Sequence, residues 1–322
     1  MSAADPRELP VIAIVGAGAV GLFFGAQLRA GGARVTYVTR GESLSVIPRD
    51  GVRIVSQAIH EVHAQGFAVV RALEDLPPNT QLVLLATKTM DVSALLPQLR
   101  AWCMSHPLAM VVPLQNGVEN ESSLVSALGS DRVVSGLAFL GSERIAPGVV
   151  RHYASGSLSV GTWRGAVADQ ARYWAQYLAD HGVRCTYHAD MVTERWRKLF
   201  WNLAFNPTTA LTGLDSQAVA RSSAAQPLIA SLLREALAVA QAEGASLTWS
   251  DAEKQVQRTQ QMPGTRTSMQ VDLQSGRRTE YDAILGAVVR AAARHGVYVP
   301  VTTTLYQLLA TIDGAPDDRS SV

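Results

Sequence analysis

The stretch that decides the fold is Val11-Ile12-Ala13-Ile14-Val15-Gly16-Ala17-Gly18-Ala19-Val20-Gly21. It opens with an unbroken apolar run of strand length, which is typical of a parallel strand covered on both faces. A helical stretch follows the glycines and ends at Gly31-Gly32, and residues 35–38 are predicted to form a second strand. The order of strand, glycine turn, helix and strand predicts a βαβ unit at the start of an α/β fold.

The three glycines of this stretch match the dinucleotide-binding fingerprint in its required context, after a strand and at the start of a helix. The first glycine allows a tight turn, the second lets the backbone approach a pyrophosphate, and the third permits close packing of helix on strand. The helix N-terminus adds N–H donors and partial positive charge. A glycine turn with a structural role alone is the alternative. The residues expected to bind the dinucleotide are Gly16, Ala17, Gly18, Ala19, Val20 and Gly21.

The choice of cofactor is predicted at the end of the second strand, where the sequence is Thr39-Arg40-Gly41. An acidic residue there would bind the ribose 2′-hydroxyl of NAD, whereas a cation accepts the 2′-phosphate of NADP. Arg40 offers a planar fork of donors that suits phosphate. NADP is therefore favoured, with NAD kept open by the nearby Glu42 and with Arg40 as a solvated surface cation as the alternative.

Two further apolar runs, residues 82–86 and 110–114, stop at the polar sequences Thr87-Lys88 and Gln115-Asn116-Gly117. The carboxyl ends of the strands form the ligand crevice of an open α/β sheet. Lys88 and Asn116 are therefore candidate site residues on position alone.

The chain is predicted to divide into two domains near residue 190. Short β-like segments at 133–138, 149–153 and 158–160 are expected at the far edge of the first domain. Beyond residue 193 the periodicity predicts helices at 194–205, 226–243, 251–262, 280–295 and 302–312. The prediction is thus a Rossmann-type nucleotide-binding domain over residues 1–190 and a mainly α-helical substrate and catalytic domain over 191–322.

Composition excludes several classes of partner. The 322 residues carry 28 Lys and Arg against 27 Asp and Glu, a net charge of +1. Nucleic-acid binding is driven largely by the release of counterions when an excess of positive charge meets the phosphates, so this near-neutral chain is not expected to bind nucleic acid. The two cysteines have no metal-ligand spacing. The polar N-terminal lead and the lack of a long apolar segment predict a cytoplasmic chain without membrane contact. We expect a small-molecule partner and no metal, and the oligomeric state stays open, with a homodimer among the options.

Lys198, Asn202 and Asn206 recur at intervals of four in the first helix of the second domain. Four residues turn a helix by about 400°, so these side chains share one stripe. When hydride reaches a ketone carbon, a nearby ammonium stabilises the growing alkoxide and protonates it. The stripe therefore predicts a carbonyl reductase, in which the two amides hold a substrate hydroxyl or carboxylate.

Ser268 and Glu280 are further candidates near the C-terminus. Ser268 offers a hydroxyl and a backbone amide to a carboxylate. Glu280 either fixes a hydroxyl or the lysine ammonium, or serves only as an acid in the first turn of a helix. Asp272 is expected to be structural or an ion-pair partner.

Together these features resemble the ketopantoate reductase family, also called 2-dehydropantoate 2-reductases. The resemblance covers nearly the whole chain through the glycine turn, Thr87-Lys88, Gln115-Asn116-Gly117, Trp196-Arg197-Lys198-Leu199, Asn206-Pro207 and Ser268-Met269. It implies reduction of 2-dehydropantoate to pantoate with NADPH, in the pathway to pantothenate and coenzyme A. It also implies that Lys198 is the proton donor and that the substrate is contacted by Asn202, Asn206 and Ser268. The cofactor side of the cleft would be lined by Lys88, Asn116 and Glu280.

Two departures from the family pattern leave the substrate open. Where the family often has asparagine, this chain has Thr265 and Ser216, which are shorter. A paralogous reductase of another branched 2-oxo acid is therefore an alternative. The lysine helix is also similar to that of β-hydroxyacid dehydrogenases, and a non-catalytic NADP-binding sensor is the alternative outside enzymes.

We expect the chain to use NADPH with a higher catalytic efficiency than NADH, because Arg40 presents donors to a 2′-phosphate. Steady-state kinetics with the two cofactors under identical conditions measures this preference. A clear preference for NADH would contradict the role of Arg40.

Overall fold

The computed structural model describes residues 9–56 and 58–314. The polar lead at residues 1–8 lies outside this part of the chain. Two compact units are present: the first ends at Met191 and excludes the segment Asn116–Glu119, which belongs to the second unit with the residues from Val192 onward. None of the described helices combines the length and hydropathy that a membrane span needs.

The first unit is built around a fully parallel sheet in the order β5-β2-β1-β6-β7. Its strands are β1 (Val11–Val15), β2 (Arg34–Val38), β5 (Ala68–Val70), β6 (Thr80–Leu85) and β7 (Met110–Pro113). The chain moves from β1 to one side of the sheet and later returns to the other side at β6. The strand order therefore reverses between β1 and β6, which is the position where open α/β sheets bind ligands.

The central strand β1 is buried on both faces, as its apolar run predicts. Ile12 and Ile14 belong to one hydrophobic cluster, and Ala13 and Val15 belong to another. This alternation follows from the two-residue period of a strand. The helices of this unit are α1 (Ala19–Ala30), α2 (Ser43–Asp50), α3 (Val92–Ser105), α4 (Asn120–Leu128) and α5 (Ala168–Asp180).

A second sheet accompanies the first in this unit. Its strands are β3 (Val52–Ser56), β4 (Val62–Ala64), β8 (Ser135–Ala146), β9 (Val149–Gly161) and β10 (Arg184–His188). The prediction of short separate β segments is wrong here, because β8 and β9 form one long antiparallel pair. Ser155 and Gly156 in β9 have φ angles of 63° and 106°, which makes the strand locally irregular. In the sequence these two residues look like a turn that would end the strand.

The second unit is helical, as predicted. Its helices are α6 (Met191–Thr212), α7 (Ser216–Arg221), α8 (Gln226–Ala242), α9 (Trp249–Gln261), α10 (Ser268–Gln274), α11 (Ala287–His295) and α12 (Pro300–Gly314). A π-helical turn, Asp282–Gly286, leads directly into α11. The short helices α7 and α10 are absent from the sequence prediction, and each begins at a side-chain cap, Asp215 and Thr267 respectively.

The predicted end of the first helix of this unit is wrong, because α6 continues through Pro207 to Thr212. Proline removes one N–H donor and normally bends or ends a helix. Here the hydroxyl of Thr208 donates to the carbonyl of Ala204 at 2.8 Å, and that of Thr209 donates to the carbonyl of Asn206 at 3.2 Å. The carbonyl that Pro207 leaves without its helical donor is that of Leu203, and these hydroxyls bond to carbonyls close to it. The stripe of Lys198, Asn202 and Asn206 lies on one continuous helix.

Gly21→Ala should destabilise the fold by at least about 1–3 kcal/mol, since overpacking at a rigid site has this cost. A Cβ at Gly21 would overlap the carbonyl oxygen of Gly16. Gly18→Ala is the matched control, because the nearest atom to its added Cβ, the carbonyl oxygen of Ala86, lies 3.9 Å away. Urea unfolding of both variants tests the difference, and equal losses of stability would contradict it.

Candidate active site

The glycine turn after β1 has the geometry of a phosphate cradle. Gly16 has a φ of 107°, and a Cβ there would lie 2.9 Å from the carbonyl oxygen of Ala86. Gly18 precedes the first residue of α1 and has no side-chain cap, and the first intrahelical bond runs from the Leu22 N–H to the Gly18 carbonyl at 2.9 Å. The earlier N–H groups of this turn have no partner within the helix. The residues present therefore fit a dinucleotide pyrophosphate.

Arg40 and Lys88, the predicted cations of the nucleotide site, both belong to the first unit. Arg40 follows β2 and Lys88 follows β6, and both side chains are exposed. Glu42, which kept NAD open, is exposed and precedes the first residue of α2. The structure thus places both cations beyond the carboxyl ends of the two parallel strands that flank β1, as an anionic cofactor requires.

The polar stripe on α6 lies next to buried apolar side chains of the same helix, Leu199, Phe200, Leu203 and Phe205. Lys198 is half-buried, whereas Asn202 and Asn206 are buried. The side-chain oxygen of Asn206 is buried and accepts no hydrogen bond from the residues that the structure describes. Leaving a buried acceptor unsatisfied costs about 1–3 kcal/mol, and a substrate hydroxyl would remove that cost.

Lys198, Asn116 and Glu280 form a chain of hydrogen bonds within the second unit. The Nζ of Lys198 donates to the Oδ1 of Asn116 at 2.9 Å, and the Nδ2 of Asn116 donates to the Oε2 of Glu280 at 3.0 Å. Asn116 and Glu280, which were predicted on the cofactor side, are therefore brought to the lysine. Their arrangement fixes the orientation of the Asn116 amide, since its oxygen faces a donor and its nitrogen faces an acceptor.

The electrostatic setting of Lys198 makes it a better acid than an ordinary lysine. Burial and the nearby Arg195 guanidinium lower its pKa to about 8, while the Glu280 carboxylate opposes this shift. Desolvation disfavours the ammonium form, and a like charge acts in the same direction. At pH 7 about nine-tenths of the amine is still protonated. The group can therefore hold a proton near neutrality and release it readily.

The segment that carries Asn116 is fixed by contacts that the sequence prediction missed. Gly117 has a φ of 97°, and a Cβ there would lie 2.6 Å from the carbonyl oxygen of Ala283. The Nη1 of Arg195 donates to the Gly117 carbonyl at 2.8 Å, and Arg290 pairs with Glu119 at 2.7 Å. Arg195 stands three residues before Lys198, a helical spacing that signals a shared face. No local signal relates Glu119 to Arg290, which are 171 residues apart.

Ser268 is exposed at the first position of α10. The preceding residue, Thr267, is buried and shares a hydrogen bond of 2.7 Å with the hydroxyl of Thr209 on α6. Ser268 is thus tethered to the helix that carries the amide stripe. Asp272 pairs with Arg277 at 2.9 Å, in line with the expected ion-pair role.

The second unit therefore supplies a lysine ammonium, two buried amides, a carboxylate and a serine hydroxyl. Among the described residues, no group of three or more His, Cys, Asp or Glu side chains could hold a metal ion. The lysine of this unit can transfer a proton, and its amides and hydroxyl can form hydrogen bonds to a small polar molecule. A Rossmann-type unit joined to a helical unit with such a lysine defines the class of nucleotide-dependent oxidoreductases.

Comparisons with known proteins identify the family. Two family models match, one described as "Ketopantoate reductase PanE/ApbA" over residues 12–165 and one described as "Ketopantoate reductase PanE/ApbA C terminal" over residues 190–313. The chain is 31% identical to 2-dehydropantoate 2-reductase of Halobacterium salinarum over 94% of this chain and 99% of that protein. It belongs to the ketopantoate reductase family.

Solved structures agree with this assignment. The crystal structure of 2-dehydropantoate 2-reductase from Methylococcus capsulatus is similar with a TM-score of 0.84 and 32% identity, covering 94% of this chain and 96% of that one. The enzyme from Geobacter metallireducens gives a TM-score of 0.86 and 29% identity, covering 94% of this chain and 99% of that one. The family and fold class expected from the sequence are confirmed.

The lowered pKa of Lys198 predicts its reactivity. Only the neutral amine attacks an acylating reagent, so labelling by acetic anhydride should reach half its maximal rate near pH 8. An ordinary lysine reaches half its maximal labelling rate at about pH 10.4. Glu280→Gln should move the midpoint of Lys198 to lower pH, because the carboxylate raises its pKa.

Mass spectrometry after pulse labelling measures Lys198 separately from the other lysines. If Lys198 reached half its maximal labelling rate at the pH of an ordinary lysine, the effect of burial and Arg195 on the amine would be refuted.

Proposed function

We propose that this chain is an NADPH-dependent oxidoreductase that reduces 2-dehydropantoate to pantoate, a step of pantothenate and coenzyme A biosynthesis. The observation that carries the proposal is the hydrogen-bonded chain of Lys198, Asn116 and Glu280, which holds an amine of lowered pKa. The name 2-dehydropantoate 2-reductase, which the Halobacterium salinarum and Methylococcus capsulatus relatives bear, supports it.

Lys198 acts as the general acid. NADPH, when bound, supplies the hydride that adds to the ketone carbon of the substrate. The Lys198 ammonium stabilises the negative charge that develops on the carbonyl oxygen and then transfers a proton to it. Asn116 orients the amine, because its Oδ1 accepts a hydrogen bond from the Lys198 Nζ at 2.9 Å. The neutral amine is reprotonated before the next turnover.

The remaining predicted residues bind the two ligands. The first unit would hold the dinucleotide at Gly16–Gly21, with Arg40 and Lys88 contributing positive charge. In the second unit, Asn202, Asn206 and Ser268 would hold the hydroxyl and carboxylate of the substrate. The buried, unpartnered oxygen of Asn206 supports a substrate donor at this position.

A specific observation favours a second candidate, the reduction of another branched 2-oxo acid. Thr265 and Ser216, at the two positions that depart from the family pattern, bond to each other. The Ser216 N–H donates to the Thr265 carbonyl at 3.1 Å, and the Thr265 N–H donates to the Ser216 hydroxyl at 3.2 Å. Their hydroxyls lie 3.3 Å apart. The two residues thus bond to each other, and their side chains are shorter than the asparagines of the family pattern. A pocket lined by them would hold a substrate of different size or polarity.

Family membership disfavours the β-hydroxyacid dehydrogenase and sensor alternatives. The same proposal includes a division into two domains, residues 1–190 and 191–322. It also includes a homodimeric state and a cytoplasmic location.

Purified protein should oxidise NADPH in the presence of 2-dehydropantoate, and kcat/KM should fall about tenfold per pH unit above pH 8 as Lys198 loses its proton. Lys198→Ala should lower kcat by about 10²–10⁴-fold, the usual contribution of a general acid. NADPH binding, measured by fluorescence titration, should be retained.

A panel of branched 2-oxo acids separates the two candidates. Turnover of another acid with no turnover of 2-dehydropantoate would reject the pantoate assignment in favour of the second candidate. Near-normal turnover by Lys198→Ala would reject the lysine as proton donor.

A further inference from the structure

We propose that Arg195 is a positioning residue for Lys198, which fixes the turn that presents Asn116 to the amine and sets the local charge around it. This inference deepens the proposed function, because it rests on Lys198 being the proton donor.

Arg195 is an arginine in the interior of the second unit. Its exposure is 1%, and it is among the largest fully buried side chains of the described residues. Arginine is almost never fully buried unless it is paired, since removing its charge from water is costly. The site therefore holds a guanidinium where an apolar side chain would ordinarily pack.

The hydrogen bond from Arg195 acts on the residue next to Asn116. Its Nη1 donates to the carbonyl of Gly117 at 2.8 Å. On its other side Gly117 is confined by the Ala283 carbonyl, which would lie 2.6 Å from a Cβ at this position. The peptide is thus held between α6 and the π turn Asp282–Gly286. Since Asn116 directly precedes this peptide, its amide is delivered to the Lys198 amine from a fixed backbone.

The charge of Arg195 acts on the amine from the same helix. Residues three apart on a helix have Cβ atoms about 5–6 Å apart. The charged groups that act on Lys198 are Arg195 on α6 and Glu280, which precedes the π turn, and they work in opposite directions. Arg195 favours release of the proton, whereas Glu280 favours its retention. Arg195 therefore both orients Asn116, the partner of Lys198, and makes Lys198 a stronger acid.

Two variants separate these contributions. Arg195→Met keeps much of the volume but loses the charge and the donor, so the labelling midpoint of Lys198 should rise by about one pH unit. Its kcat should fall by about tenfold to a hundredfold because Asn116 is displaced, with KM changed less. Arg195→Lys keeps the charge but not the planar fork, so the midpoint should stay near pH 8 while kcat falls.

The matched control is Arg197→Met on the same helix. Arg197 is half-buried and pairs with Glu194 at 3.3 Å and with Asp251. This variant loses a comparable arginine, yet we expect the midpoint of Lys198 and kcat to stay close to those of the unmodified chain. Stability measured by urea unfolding registers any general effect of removing an arginine.

The labelling midpoint of Lys198 and kcat together distinguish failure of this inference from failure of the proposed function. Labelling needs no turnover, so an unmodified protein that reduces no 2-oxo acid would reject the function alone. A labelling midpoint and kcat in Arg195→Met equal to those of Arg197→Met would overturn the role of Arg195. If Arg195→Met does not fold, an unchanged kcat in Arg195→Lys would overturn that role instead.

Discussion

A half-buried primary amine needs hydrogen-bond partners, and three side chains of the second unit serve this requirement of Lys198 directly or through a neighbouring group. Asn116 accepts its hydrogen bond, Glu280 orients Asn116, and Arg195 holds the neighbouring peptide. Asn116 follows β7, Glu280 precedes the π turn, and Arg195 lies on α6, so the three groups come from separate parts of the chain. The lowered pKa of Lys198 is a consequence of the same arrangement, because burial and a like charge outweigh one carboxylate.

The first unit depends on a different constraint, the absence of side-chain volume. The carbonyl oxygen of Gly16 occupies the space that a Cβ of Gly21 would take, and Gly16 itself packs on Ala86. The hydroxyl of Tyr37 also donates to the Gly21 carbonyl at 3.0 Å. Close approach of helix to strand therefore serves the core, while Gly18, whose missing Cβ has open space, leaves the backbone accessible to a phosphate. One short stretch thus combines glycines that close packing requires with one whose position would also accommodate a side chain.

Prediction from sequence succeeded where the signal was local and failed where it was not. The βαβ start, the parallel strands β1, β2, β6 and β7, and the longer helices of the second unit follow from periodicity within a few residues. The unbroken strand β9 was missed because Ser155 and Gly156 resemble a turn, and the extension of α6 was missed because proline normally ends a helix. The pairing of β9 with β8 overrides the first of these preferences, whereas in α6 hydroxyls of the same helix bond to carbonyls near the proline. Arg195 was overlooked although its spacing from Lys198 was visible.

The sequence by itself determined the class of fold, the glycine turn and the stripe of Lys198, Asn202 and Asn206, because each depends on residues close together along the chain. Only the tertiary structure decided the partners of these residues. Asn116 and Lys198 are 82 positions apart, and Asn116 and Glu280 are 164 apart. Such pairings depend on how the helices pack and on the backbone path of Gly117, which no local pattern encodes. The stripe contains the lysine, and folding brings to it the groups that bond to its amine and alter its pKa.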